Sequence, residues 1–182
     1  MLDGIFKVLG TIEKVASTIA AAFMFAIMMI VFSDVIMRYV FNKPFSWAYD
    51  LISMYLMAGV FFLVLSEAYT SRAHVSVDIL QQKFSPAMIR LSESVTCIVG
   101  ITVFSLIAYL GFLRAVDSFQ SADVMAGAIP WPMWPSIGLV PFGAGLITIR
   151  LALHFIGHVL SLATGRAVMA LPAAHAVGET FE

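Results

Sequence analysis

Residues 15–50 read VASTIAAAFMFAIMMIVFSDVIMRYVFNKPFSWAYD. From Val15 to Ser33 there is no charge, and that run comes close to the roughly 20 apolar residues a helix needs to cross a hydrocarbon core. Asp34 and Arg38 follow, the chain breaks at Asn42-Lys43-Pro44, and a second apolar run opens at Trp47. A span, a short polar turn and another span make a membrane hairpin. The first run is too long for a signal-peptide core and no strongly basic stretch precedes it, although Ala20, Ala21 and Ala22 imitate a cleavage site. It is expected to remain as a membrane helix.

The rest of the chain repeats the pattern. Of 182 residues, 61% are hydrophobic and 12% charged, where soluble domains carry about 45–50% and 25%. Mean hydropathy is +0.97, more apolar than one compact interior can hide from water. The sequence predicts an all-α integral membrane protein with four transmembrane helices, at about 15–36, 47–69, 94–116 and 130–152. These form one domain over residues 1–170, followed by a flexible tail at 171–182. A formal net charge of −1 leaves no basic surface for nucleic acid.

Four spans put both termini on one side. Lys7, Lys14, Arg72, Lys83, Arg90, Arg150 and Arg166 fall on that side; Arg38, Lys43 and Arg114 fall on the other. The positive-inside bias therefore places the termini and the central connection in the cytoplasm. In that connection, Phe84, Met88, Ile89 and Leu91 recur beside Lys83, Arg90 and Glu93, which suits a short interfacial amphipathic helix within residues 75–92, with Pro86 at its first helical position. Leu2 to Lys14, with Ile5, Phe6, Leu9 and Ile12 on one face, is expected to lie in the interface likewise. Pro141 should kink the fourth span near Ile137.

Polar residues near a bilayer each need a place. Asp34 and Arg38 are neighbours on one helix face, suited to an ion pair that ends the first span. Asn42 and Pro44 signal a tight turn, Ser46 is placed to cap the next helix, Trp47 belongs in an aromatic belt, and Asp50 sits where a helix start favours an acid. A hydrogen bond from Asp50 to Arg38 or Tyr39 would close the hairpin. After the second span, Arg72, His74 and Asp78 gather at the interface, but two metal-type ligands fall short of a zinc site. His154 and His158 are four apart and are taken as interfacial residues. Cys97, the only cysteine, lies in an apolar run and is taken as a small buried hydrophobe. No phosphate loop, nucleophile elbow or H-E-x-x-H occurs. The span cores carry no charge, which points to a helper and not to a carrier that lines its own path. The residues from Arg114 to Ile129 are expected to form a solvated acidic loop around Asp117 and Asp123. Ala16/Ala20 and Ala22/Ala26 have the small-xxx-small spacing of close helix contacts.

The ordered set Asp34-x-x-x-Arg38-Tyr39-x-Phe41-Asn42-x-Pro44-x-x-Trp47-x-x-Asp50-Leu51, then Ala68-x-x-x-Arg72-x-His74-x-x-Val77-Asp78, resembles the small membrane subunit (DctQ-like, or Q subunit) of tripartite ATP-independent periplasmic (TRAP) transporters. Two positions depart from that family's pattern: Asp50 stands where Glu is commoner, and Ala58-Gly59 where a tryptophan is common. The resemblance implies a non-enzymatic, cofactor-free subunit of a secondary-active, sodium-coupled importer of organic acids, of the C4-dicarboxylate or sialic-acid type, in the bacterial inner membrane. Its implied partners are a large polytopic membrane subunit (M subunit) that carries substrate as an elevator, and a periplasmic substrate-binding protein (P subunit). The small subunit would brace the large one, with Asp34, Arg38, Asn42, Pro44, Trp47, Asp50, Arg72, His74 and Asp78 as candidate structural or partner-interface residues. The alternatives are the membrane anchor of a haem or quinone oxidoreductase, which would want mid-span histidines, and a small self-assembling channel, which would want a polar stripe.

Overall fold

A computed structural model describes residues 2–71, 86–127 and 129–164. All the long elements are helices: α1 (Leu2–Phe41), α2 (Ala48–Leu51), a π-helical turn (Ile52–Leu56), α3 (Met57–Thr70), α4 (Pro86–Gln120) and α5 (Trp134–Thr164). Among the described residues four helical stretches are long and apolar enough to cross a membrane, so the four-span, all-helical expectation holds. The second span is built from α2, the π turn and α3 in succession.

α1 has 40 residues, about 60 Å of helix against a hydrocarbon core of about 30 Å. Leu2 to Lys14 is therefore not a separate interfacial helix but the first turns of α1. Nothing breaks the helix there, because no proline interrupts it and its inward stripe runs on without a step. That stripe is Leu9, Glu13, Ala16 and Ala20, buried, then Phe23, Ile27, Ile30, Asp34 and Met37, half-buried. Alternating steps of four and three residues are the heptad spacing that keeps one helix face on a neighbour. Ala16 and Ala20 both lie on the seam, whereas Ala22 is exposed.

α4 repeats the device with Ser94, Cys97, Ile101, Phe104, Ala108, Gly111, Ala115 and Ser118. Most of these are small, and in lipid, where no hydrophobic drive separates helix from solvent, close approach is what joins helices. A side-chain carbon at Gly111 would stand 3.2 Å from both Pro141 and Val140 of α5. Of the expected interfacial helix at 75–92, residues 75–85 lie outside the described residues, and 86–92 are the opening turns of α4. Pro86 does begin a helix, but that helix continues unbroken into the third span. The expected acidic loop also shortens, since α4 stays helical to Gln120.

The four long helices pack in the order α1, α3, α5, α4. α3 lies between α1 and α5, and α5 between α3 and α4; α1 meets α5 only sparsely. The result is an open row with two separate cores. Leu9, Ala16, Ala20, Leu63 and Leu146 form one, and Cys97, Ile147 and Leu151 the other. Cys97 is fully buried there. The tightest crossing is at Gly143 of α5, where any side chain would run into the Phe62 carbonyl of α3. α5 continues as helix through Pro141. Outward faces of α1 and α4 carry large exposed apolar side chains, among them Phe25, Met28, Phe32, Val99, Leu106 and Leu110.

Candidate functional site

Polar side chains collect at the two ends of the row. At the hairpin end, α1 stops where Asn42 takes a left-handed backbone (φ 53°), the conformation asparagine tolerates better than most residues. This turns Lys43 N–H back onto the Met37 carbonyl at 3.0 Å. Pro44 then fixes the chain direction, and Phe45 stacks on Trp47 with ring centres 5.3 Å apart. One oxygen of Asp34 accepts the Phe45 backbone N–H at 2.7 Å, and the other accepts from Arg38 at 2.8 Å.

Asp34 is thus the staple of the turn. Its side chain is 15% exposed while that of Arg38 is 60% exposed, so the carboxylate faces inward and the guanidinium sits at its edge. The local ion pair read from the spacing is present, with a backbone acceptor role added to it. Ser46 does not cap the following helix: Trp47 occupies the cap position, already in helical conformation and without a side-chain cap bond. A residue in that conformation cannot present the capping geometry of an extended Ser.

Asp50 does not reach Arg38 or Tyr39. Its carboxylate stands against the second hairpin, where a side-chain carbon on Gly127 would come within 2.5 Å of Oδ2. That hairpin is closed by Met125 N–H to the Trp131 carbonyl and Met133 N–H to the Asp123 carbonyl, each 2.9 Å. Tyr55, on the π turn, donates its hydroxyl to the Pro132 carbonyl and packs edge-on against Trp131. π turns occur disproportionately where a helix must re-aim a side chain for function. The second span is therefore bonded to the second hairpin through Tyr55, and Asp50 lies close against Gly127. Trp131 Nε1 and Ser118 Oγ are buried there with no hydrogen-bond partner among the described residues.

At the opposite end lies a cluster that sequence reasoning missed. Arg150 of α5 meets Glu13 of α1 at 2.5 Å, and Ser66 of α3 donates to the other Glu13 oxygen at 2.5 Å. Glu13 is 2% exposed, Ser66 1% and Arg150 6%. The Arg150 guanidinium also lies 5.7 Å from the centre of the Phe6 ring, a cation–π contact. His154 packs edge-on against Phe6 and Tyr69, and the Tyr69 hydroxyl lies 3.8 Å from Cys97 Sγ. One signal could have found Glu13: it falls on the seam of Leu9, Ala16 and Ala20, where an acid is out of place. Its cation lies 137 residues further along the chain, and no spacing rule connects them.

Arg72, His74 and Asp78 lie outside the described residues, as does the His158 side chain. Among the described residues, no three His, Cys, Asp or Glu side chains gather as a metal cluster would require. The arrangement can anchor helices at both ends and offers a long apolar wall between them.

These features define a multi-pass membrane protein whose paired charges sit at its two ends. A protein-family profile described as "Tripartite ATP-independent periplasmic transporters, DctQ component" matches residues 27–161, well over half of the chain. The chain belongs to this family, the small membrane (Q) subunits of TRAP transporters. No curated protein and no solved structure matches it.

Proposed function

We propose that this subunit is the static brace of a secondary-active, sodium-coupled importer of organic acids, of the C4-dicarboxylate or sialic-acid type, in a bacterial inner membrane. The large membrane subunit carries substrate and ions, the periplasmic protein delivers substrate, and this chain supplies the wall against which the moving part works. The observation that carries the reading is the open row of helices. Its edge helices α1 and α4 present large apolar side chains outward, and its buried ion pair lies at one end. A wall that wide is suited to a second membrane protein. A solute path of its own would need polar groups through mid-membrane. Both termini lie in the cytoplasm in this proposal, on the side holding seven of the ten Lys and Arg residues. The hairpins carrying Asp34, Arg38, Asn42, Pro44, Trp47 and Asp50 then face the periplasm, and Arg72, His74 and Asp78 the cytoplasm, each set as a structural or partner-contact group.

The test is co-purification from native membranes in mild detergent, followed by uptake in vesicles. Recovery of a larger polytopic subunit, with sodium-dependent uptake by the pair plus the binding protein and none by this chain alone, is the expected result. Uptake by this chain alone, or a haem absorbance band in the purified protein, would overturn it.

A further inference from the structure

α1 faces a problem of address. Its seam is a strict heptad from Leu9 to Met37, made mostly of alanines and aliphatics, and it packs mainly on α3. In lipid the helix gains nothing hydrophobic by docking at one position over another, because lipid covers an apolar side chain as well as α3 does. The short hairpin after Phe41 holds one end of α1, and Phe23 rests against Gly59 of α3, so it is the N-terminal turns of α1 that could slip or swing along a stripe of the same kind. Heptad seams elsewhere solve this with a single polar residue whose partner exists at one register only.

Only two charged residues lie on the α1 seam, Glu13 and Asp34, separated by three heptads or about 32 Å, close to the hydrocarbon thickness. Asp34 fastens α1 to its own turn at Phe45. Glu13 is the one that reads other helices, taking Ser66 from α3 and Arg150 from α5. It does so at the end far from the hairpin, where α1 has no short loop to hold it. We propose that Glu13, Ser66 and Arg150 form a register lock, which specifies where α1 docks on the α3–α5 pair and contributes little to how strongly the helices associate. A slipped α1 leaves an acid and a guanidinium buried without each other. In the native register both Glu13 oxygens are satisfied and the Phe6 ring lies against the guanidinium, whose buried Nε has no hydrogen-bond partner among the described residues. Buried ion pairs are poor sources of net stability, since desolvation consumes most of the attraction, and specifying register is their best-attested use. This inference concerns the chain's own helices and stands apart from the transport reading.

The test is a distance measurement by double electron–electron resonance on the full chain in nanodiscs, with Cys97→Ser as background. Spin labels go on cysteines at the exposed positions Val8 of α1 and Ile156 of α5. The reference protein gives one narrow distance. The neutral double variant Glu13→Leu/Arg150→Leu, which strands no charge, is expected to fold with helical content unchanged but to give a broadened or second distance, displaced by up to one helical turn, about 5 Å. The charge exchange Glu13→Arg/Arg150→Glu is expected to restore a single narrow distance. A neutral double variant as narrow as the reference overturns the lock, because the apolar seam then sets the register. Its failure to fold overturns the division between register and strength, and a charge exchange as broad as the neutral variant overturns the pairwise role.

Discussion

Replacing Asp34 with alanine, and separately Arg38, divides the two jobs of the first hairpin. Asp34 accepts two hydrogen bonds, from the Phe45 N–H at 2.7 Å and from Arg38 at 2.8 Å. The first lies in the half-buried turn and involves an ionised acceptor, a class worth about 1.5–3 kcal/mol. The second belongs to an ion pair whose arginine is 60% exposed, a class worth about 0–1 kcal/mol. Asp34→Ala should therefore cost about 2–3 kcal/mol, or about 30- to 150-fold in the unfolding equilibrium. Arg38→Ala should cost less than about 1 kcal/mol. Asp34→Asn keeps an acceptor for Phe45 and should fall between them. The assay is unfolding in mixed micelles by increasing mole fraction of a denaturing detergent, followed by far-ultraviolet circular dichroism and by tryptophan fluorescence, with Trp47 beside the turn. If Arg38→Ala costs as much as Asp34→Ala, the carboxylate acts through its ion pair and the staple reasoning is wrong.

Other substitutions probe packing in the same assay. Gly143→Ala places a methyl group into the Phe62 carbonyl and should cost about 1–3 kcal/mol, as overpacking does, with loss of co-purification of the large subunit if the row must be flat to receive it. Gly127→Ala should destabilise because its methyl group meets Asp50 Oδ2, and Asp50→Ala should relieve that cost in the double variant; additive costs would contradict the contact. Asn42→Gly should be neutral or slightly stabilising, whereas Asn42→Val should cost about 1–2 kcal/mol for its left-handed backbone.

Several features were legible along the chain. Each span is a local property, because hydrophobic length is read within about 20 residues and needs no knowledge of neighbours. The Asp34–Arg38 pair follows from a separation of four on one helix, and the Asn42-Lys43-Pro44 turn from local backbone preferences. The resemblance to the family was carried by the same hairpin, in the ordered set from Asp34 to Asp50, together with Ala68 to Asp78. Local propensity misled at Ser46, where the helix begins one residue later than a serine cap would place it. At Leu2–Lys14 and at 86–92 the amphipathic patterns belong to helices that run on unbroken into the spans, a continuity that local periodicity did not reveal.

The one-dimensional string was enough to say that the chain crosses a membrane four times and which residues turn it around, since lipid selects for apolar length and turns select for backbone type. Only the folded chain shows that the helices stand in the order α1, α3, α5, α4, that Tyr55 ties the second span to the second hairpin, and that Glu13 belongs to Arg150. In water an inward helix face announces itself by being apolar. In lipid both faces are apolar, and which face turns inward is settled by close packing at small residues such as Ala20, Gly111 and Gly143 and by the few polar groups that must find one another across the bundle.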